Sequence, residues 1–200
     1  MNIGARSIQR HLSSVKGFFK YLQKNHLINQ SPFELISGPK TEKKLPESLT
    51  PEQINRLLDF KPSSLIEIRD LAIIELMYSS GLRVSETVNV DIQDFEENKD
   101  FLRVIGKGSK TRLVPLGRFA ISAINNWLEE RKKITSDDGA LFINKAGGRL
   151  TTRSVQLRLK KLAVKQGLPP INPHMLRHSF ATHMLESVSY THLTLPTIAV

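Results

Sequence analysis

The sequence contains no cysteine, and this absence removes several classes of protein. A chain without thiols forms no disulfide bond and offers no thiolate ligand to zinc or to an iron–sulfur cluster. Cysteine-free composition fits a reducing compartment, so we expect a cytoplasmic location. We also expect no metal ion and no other cofactor.

Long apolar runs are absent as well. No stretch approaches the roughly 20 apolar residues of a membrane span, so we expect no membrane partner. The first twenty residues contain four basic residues but no apolar centre of the signal-peptide type, and nothing in them predicts export. The 200 residues, 40% apolar and 24% charged, suit one ordinary globular domain with an appendage.

Acidic residues are scarce in the second half of the chain. Residues 101–200 carry 5 Asp and Glu against 16 Lys and Arg, whereas residues 1–100 carry 14 against 13. The net charge of +10 therefore comes from the second half. One-sided basic charge is typical of proteins that bind nucleic acid, because each neutralised phosphate releases counterions. A solvated basic surface that maintains solubility would show the same charge, so charge alone leaves both interpretations open.

The chain is predicted to contain two parts and a linker. Apolar residues at helical spacing fill 6–25, and prolines and charged residues without periodicity follow over 29–46. A single amphipathic helix cannot bury its own apolar stripe, so we interpret 1–28 as the last helix of an N-terminal domain whose beginning is absent. We predict the main domain over 47–186 and an atypical tail, foreign or misread, over 187–200.

The main domain is predicted to be mainly α (α+β), with one small antiparallel sheet. Thr50, Pro51 and Gln53 form a helix start, Gly81 ends a helix, and Asn172 caps another. The periodicity predicts helices over 51–59, 64–79, 84–90, 117–132, 151–166 and 173–186. Strands are predicted at 101–105, 111–116 and 140–143, with a hairpin at 106–110.

Two segments place a basic side chain in an unusual local setting. In GLRVSE (81–86), Arg83 stands at a helix start, although a plain i,i+3 surface pair with Glu86 explains it equally simply. In VIGKGSKTR (104–112), two glycines allow a tight hairpin to present Lys107 at its tip. A phosphate-binding P-loop is excluded because Lys107 precedes a glycine instead of Ser or Thr. Lysines that keep an exposed hairpin soluble remain the alternative.

The third segment is NPHMLRHSFATH (172–183). His174 and Arg177 are three residues apart and share one helix face. His174 and His178 have zinc-ligand spacing, but Met175 stands where a zincin needs glutamate, and the intervening arginine would repel a dication. A histidine that only caps the helix is the alternative to a catalytic one.

Together, two arginines, a lysine and a histidine suit metal-free phosphoryl transfer on DNA. Two guanidinium groups can hold the non-bridging oxygens of the transition state. A lysine can protonate the departing sugar oxygen, and a histidine can hold or move a proton near neutral pH. Metal-dependent nucleases instead need clustered carboxylates, and the few acidic residues of the basic half are not clustered in this way.

The three motifs resemble those of the tyrosine recombinases, the phage-integrase family. The flanking sequences RLVPLG (112–117) and HSFATH (178–183) are similar to the Xer-type branch, and the resemblance extends from about Arg6 to Glu186. It implies a mainly helical catalytic domain with a small sheet, which clamps double-stranded DNA together with a separate helical domain. It also implies tetramers of protomers on paired sites and no small-molecule substrate.

The resemblance implies a role for each motif residue. Arg83 and Arg177 would bind the scissile phosphate, and Lys107 would be the general acid. His174 would assist proton transfer, and Glu86 would support the site without reacting. We also expect four basic residues of the second half to contact DNA: Lys110, Arg112, Arg153 and Arg158.

The sequence departs from the family pattern after His183. The family continues with a Leu-Gly-His-like segment and then the nucleophilic tyrosine. Here Tyr190 follows Arg177 by only 13 residues and no Leu-Gly-His occurs, so the nucleophile is left unassigned. Three hypotheses stand: a site-specific recombinase acting through a phosphotyrosine intermediate, a catalytically inactive DNA-binding fragment, and a related type IB topoisomerase.

Overall fold

A computed structural model describes residues 3–39, 48–95, 100–136 and 139–193. The side chains of Lys107 and of residues 187–193 lie outside that description. The chain divides into two compact units, Met1–Leu45 and Pro46–Val200. No helix of the described residues is both long and apolar enough to cross a membrane.

In the first unit, the described residues 3–39 form one helix and the segment that returns along it. Helix α1 (Ala5–Lys24) confirms the helix predicted over 6–25 and buries none of its residues. The returning segment packs on α1 because the rings of Phe19 and Phe33 lie 5.0 Å apart. Residues 40–47, which include the end of the predicted linker, lie outside the described residues.

The second unit begins with three helices. Helix α2 (Pro51–Leu58) starts at the predicted capping box, in which Thr50 and Gln53 bond each other's backbone N–H groups. Helix α3 (Leu65–Ser80) ends at Gly81, whose φ of 60° and ψ of 27° are left-handed. Helix α4 (Val84–Asn89) follows after two residues, so the predicted break at Gly81 is confirmed.

A two-stranded antiparallel hairpin follows. Strand β1 (Phe101–Ile105) pairs with β2 (Thr111–Pro115), with Val104 opposite Arg112. A 3-10 turn over Lys107–Ser109 joins the strands, and the N–H of Gly106 donates to the carbonyl of Lys110 at 2.8 Å. The predicted hairpin is therefore confirmed.

Three further helices follow among the described residues. They are α5 (Arg118–Arg131), α6 (Thr152–Lys165) and α7 (Pro173–Leu193). Asn172 caps α7 as predicted, because its Oδ1 accepts from the N–H groups of His174 and Met175 at 3.0 and 3.2 Å. The backbone of α7 continues beyond the predicted end at residue 186, and residues 194–200 of the predicted tail lie outside the description.

The strand predicted at 140–143 is wrong. This segment forms only isolated bridges, Asp91 with Ala140 and Ile143 with Arg149. Its four residues are fully buried, and three of its carbonyls are bound by side chains instead of by a strand. Arg131 donates to the carbonyl of Ala140 at 3.0 Å. The indole N–H of Trp127 donates to Leu141 at 2.7 Å, and Arg69 donates to Ile143 at 3.0 Å. The apolar run is therefore explained by burial in the core, and it does not form a strand of a sheet.

Helix α3 lies at the centre of the second unit. It packs against α5 and α7, and its buried residues form one core with Trp127 and the 140–143 segment. One buried ion cluster lies in this core. Asp70 accepts from Arg69 at 2.9 Å and from Arg158 at 2.5 Å. The cluster joins α3 to α6, and the C-terminal end of α3 leads directly into the candidate site.

Candidate active site

A buried carboxylate, that of Glu86, lies at the centre of the site. Its side chain is only 6% exposed, because α4 turns it toward the hairpin. Glu86 Oε2 accepts from the backbone N–H of Arg83 at 2.8 Å, and Oε1 accepts from Arg83 Nη1 at 3.0 Å. The i,i+3 pair that was the alternative to a functional role is therefore formed, but Glu86 is buried and the pair does not lie on an open helix surface.

Arg112 approaches the same carboxylate from β2. Its Nη1 lies 3.2 Å from Glu86 Oε1, and its Nη2 lies 3.0 Å from Oε2. Two parallel bonds of this kind are the strongest arginine–carboxylate geometry. The sequence predicted a DNA contact for Arg112 and did not predict this pair.

Arg177 reaches the site from the second turn of α7. Its Nη1 lies 4.0 Å from Glu86 Oε2 and donates a short hydrogen bond to the carbonyl of Gly81. That carbonyl belongs to the end of α3, where the backbone has no intrahelical partner and carries partial negative charge. Gly81 therefore orients Arg177 as well as ending the helix.

The charges of the site are unbalanced. Burial raises the pKa of Glu86, but hydrogen bonds from Arg112 and Arg83 outweigh it, so that the pKa lies below its usual value. Burial, followed by the nearby charges of Arg83 and Arg112, lowers the pKa of Arg177, and Glu86 opposes this shift. Three guanidinium groups, each 38–50% exposed, share one carboxylate. The site therefore holds an excess of accessible positive charge, which suits an anionic ligand.

The motif lysine and the motif histidine lie on the hairpin and on α7, two of the elements that form this site. Lys107 stands in the turn of the hairpin, one residue after Gly106, and its side chain lies outside the described atoms. His174 is exposed in the first turn of α7, three residues before Arg177. An open cavity of about 410 Å³ lies between α4 and the hairpin and is lined by Arg83, Ser85, Glu86, Asn89, Ile105 and Gly106.

The other expected DNA contacts differ in their surroundings. Lys110 and Arg153 are exposed. Arg158 is 29% exposed and donates to the buried Asp70, a partner that the sequence did not predict. The DNA contacts stay predictions. Within the described ranges, no group of three or more His, Asp or Glu side chains is arranged to hold a metal ion.

The residues of 178–183 serve packing more than chemistry. The Oγ of the buried Ser179 accepts from the N–H of Leu49 at 2.7 Å, and the ring of Phe180 lies against Gly81. His183 Nδ1 lies 3.0 Å from the hydroxyl of Tyr78. The contacts of Phe180 and His183 hold α7 on the C-terminal end of α3, and Ser179 joins α7 to the segment before α2. Together they place Arg177 near Glu86. Sequence spacing gave no signal for them.

The fold and the arginine-rich site define a class of protein. Residues 47–193 match the model of the Phage integrase family, and the chain belongs to this family. The predicted resemblance to the tyrosine recombinases is therefore confirmed.

Individual relatives narrow the class. The chain is 45% identical over 186 residues to the tyrosine recombinase XerC of Shewanella amazonensis (strain SB2B), covering 92% of this chain and 63% of that protein. It is 44% identical to the XerC of Escherichia coli O157:H7, covering 92% and 62%. The chain thus spans less than two thirds of the curated relatives it matches.

The fold is also that of solved recombinases. A structure of the XerH site-specific recombinase, bound to palindromic difH substrate in a post-cleavage complex, matches with a TM-score of 0.76 and 27% identity. The match covers 92% of this chain and 57% of that one. The predicted fold class, mainly helical with a small antiparallel sheet, is confirmed.

Proposed function

We propose that this chain forms the phosphate-binding part of a site-specific recombinase that cleaves and rejoins double-stranded DNA through a phosphotyrosine intermediate. The observation that carries the proposal is the approach of Arg83 and Arg177 to one buried carboxylate beside an open cavity. Two partly exposed guanidiniums that approach the same carboxylate can bind one phosphodiester from two sides.

The chemistry follows from the positions of the motif residues. Arg83 and Arg177 would stabilise the charge that develops on the non-bridging oxygens as the tyrosine oxygen attacks phosphorus. Lys107 would give a proton to the sugar oxygen that leaves. His174, one turn before Arg177 on α7, would hold or transfer a proton near the same phosphate. Glu86 would hold the arginines in place without reacting.

The proposed substrate is duplex DNA, and the proposed partners are further copies of the recombinase. The relative XerH was solved on a palindromic site. A palindrome offers two equivalent half-sites, so it suits two copies related by a twofold axis. The proposed location is the cytoplasm. Sedimentation on DNA with two half-sites would test assembly.

A specific observation favours the second hypothesis, that the chain as given binds DNA without cutting it. The backbone of α7 is continuous from Pro173 to Leu193, so position 190 lies about 20 Å along the helix axis from Arg177. A tyrosine at that distance does not reach a phosphate held by Arg177. We therefore propose that Tyr190 is not the nucleophile.

The test begins with the gene. An uninterrupted DNA sequence through its 3′ end defines the full protein, which is then mixed with a nicked suicide duplex. We expect a covalent protein–DNA adduct that survives denaturing electrophoresis. If the full protein forms no adduct on any duplex, the recombinase proposal is refuted. Relaxation of supercoiled plasmid without a specific site would favour the type IB topoisomerase instead.

DNA binding by the 200-residue chain is tested separately. In a gel shift with random duplex DNA, affinity should fall steeply as salt rises, because bound phosphates release counterions. A flat salt response would contradict both the recombinase and the binding hypotheses.

A further inference from the structure

Arg112 is the side chain that joins the hairpin to α4. It stands on β2 opposite Val104 of β1, and both of its terminal nitrogens are bonded to Glu86, at 3.2 and 3.0 Å. With both nitrogens bonded in this way, the guanidinium faces the carboxylate. Its position therefore suits an internal link better than a phosphate contact.

The turn of the hairpin lies against this ion pair. A Cβ added at Gly106 would meet Arg112 Nη1 at 2.8 Å and Glu86 Oε1 at 3.9 Å. Gly106 also closes the turn through its bond to the carbonyl of Lys110. Because Lys107 follows Gly106 directly, the start of the turn that carries Lys107 is packed on the Arg112–Glu86 pair.

The same carboxylate holds Arg83. Glu86 bonds the backbone and the guanidinium of Arg83 on one side and Arg112 on the other. A single buried acid therefore sets the distance between the hairpin and the arginine that would bind the scissile phosphate. If Arg112 were lost, the hairpin would keep its strand pairing but lose the two hydrogen bonds from β2 to Glu86 of α4.

We propose that Arg112 is a positioning residue, which fixes the hairpin carrying Lys107 relative to Arg83 by sharing Glu86. Its consequence for catalysis rests on the proposed function, whereas the structural link does not. A lysine cannot replace it, because an ammonium group is a point donor and cannot form two parallel bonds to one carboxylate.

The first experiment uses the 200-residue chain and needs no cleavage. Amide hydrogen exchange is measured in the wild type, in Arg112→Lys and in Arg112→Ala. We expect exchange at Gly106 and in the turn that follows it to accelerate about tenfold or more in both variants, while the paired strands change less. The matched control is Arg103→Ala on β1, which removes a more exposed pair with Asp94 at 3.7 Å and should leave the turn unchanged. Unchanged exchange in the Arg112 variants would overturn the proposal.

The salt dependence of DNA binding separates positioning from a direct phosphate contact. If Arg112 contacts a phosphate, Arg112→Ala should reduce the slope of log affinity against log salt by about 0.9, and Arg112→Lys should restore it. We expect no such change, whereas Lys110→Ala, at an exposed position in the same hairpin, should lower the slope by that amount. A reduced slope that lysine restores would assign Arg112 to DNA and contradict the proposal.

The second experiment tests catalysis in the full protein. The tyrosine oxygen would form a bond to phosphorus as its hydroxyl proton passes to His174, while the bond from phosphorus to the sugar oxygen breaks and that oxygen takes a proton from Lys107. If sulfur replaces the leaving oxygen, the thiolate departs without a proton, because thiols have a pKa of about 8.5. A defect in the general acid is therefore rescued by the sulfur substrate, and a defect in phosphate binding is not.

The expected pattern is specific. Arg112→Lys should slow cleavage of the oxygen substrate about 100-fold and cleave the sulfur substrate near the wild-type rate, as Lys107→Ala should. Arg177→Ala should fail on both substrates. Absence of rescue in Arg112→Lys, with rescue in Lys107→Ala, would overturn the catalytic part of the proposal. A wild type that cleaves neither substrate would refute the proposed function, and the exchange experiment would still decide whether Arg112 holds the hairpin.

Discussion

The ring of Phe180 lies so close to Gly81 that no side chain fits between them. A Cβ at position 81 would stand 2.5 Å from Cδ1 of that ring, and the backbone of Gly81 is already left-handed, with φ of 60°. The contact joins the end of α3 to α7, and the carbonyl of the same glycine binds Arg177. Packing and the orientation of an active-site arginine therefore depend on one residue.

We predict that Gly81→Ala lowers the free energy of unfolding by well over the 1–3 kcal/mol typical of a strained backbone, because the clash adds to the strain. Gly108→Ala is the matched control. It has a similar φ of 75° with no atom within 4 Å of the added Cβ, so it should show the strain alone. Urea unfolding measures both, and equal losses would show that the Phe180 contact carries no energy.

Glu86→Gln should leave three guanidiniums without their counter-charge. We expect the free energy of unfolding at pH 7 to fall by about 2–3 kcal/mol, since charged hydrogen bonds are lost at a buried position. The lowered pKa of Glu86 keeps the wild-type carboxylate ionised as the pH falls toward 5, so the difference should persist there and shrink only at lower pH. Added sulfate should restore part of the loss, because an anion can take the place of the carboxylate. No stability difference at pH 7 would contradict this role.

Arg177→Ala should separate cleavage from binding. In the full protein we expect the covalent adduct to disappear while much of the DNA affinity remains, because many other cations contact phosphates. Adduct formation and gel shift are measured on the same duplex. Arg153→Ala, at an exposed position, is the control with the opposite expectation of weaker binding and retained cleavage. Equal loss of both activities in Arg177→Ala would show that this arginine only positions DNA.

Asp70→Asn should destabilise the protein, because it removes the negative charge of the buried ion cluster. Arg69 is 5% exposed and Arg158 29% exposed, and both donate to Asp70. Removing the negative charge leaves a buried guanidinium unpaired, so we expect a loss of about 3–5 kcal/mol in urea unfolding. Lys132→Ala, which breaks an exposed pair with Glu129, should change stability by less than about 1 kcal/mol. Similar losses in the two variants would contradict a special role for burial.

Glu67 gives a pH dependence with a defined sign. Hydrogen bonds from Lys165 and from Ser63 lower the pKa of Glu67 from 4.5 to about 2. A carboxyl with a lowered pKa stabilises the fold fully above about pH 4.5, and this contribution disappears as the pH falls toward 2. We therefore expect Glu67→Gln to destabilise the protein more at pH 6.5 than at pH 3. A loss of stability that is the same at both pH values would show that ionisation of Glu67 does not matter.

Much of the local structure could be predicted from the sequence. The capping pattern at Thr50, the break at Gly81 and the glycines around Lys107 each depend on neighbouring residues, so short-range spacing was sufficient to predict them. The motifs with Arg83, Lys107 and Arg177 were also recognisable, and with them the family.

The sequence could not predict which charges pair across the fold. Glu86 and Arg112 are 26 residues apart, Asp70 and Arg158 are 88 apart, and Gly81 and Arg177 are 96 apart. Nothing in the local pattern distinguishes Arg112 or Arg158, each bound to a buried acid, from an exposed arginine such as Arg153. The apolar run at 140–143 was ambiguous for a related reason, because burial and strand pairing favour the same residues.

The sequence by itself therefore determined the helices, the hairpin and the chemical inventory of the site, because helical period, caps and turns are local properties of the chain. Only the tertiary structure decided that three arginines share Glu86 and that Phe180 closes over Gly81. The physical reason is that these contacts form only when α3, α4, the hairpin and α7 pack together. Their packing depends on the whole core and not on any one segment.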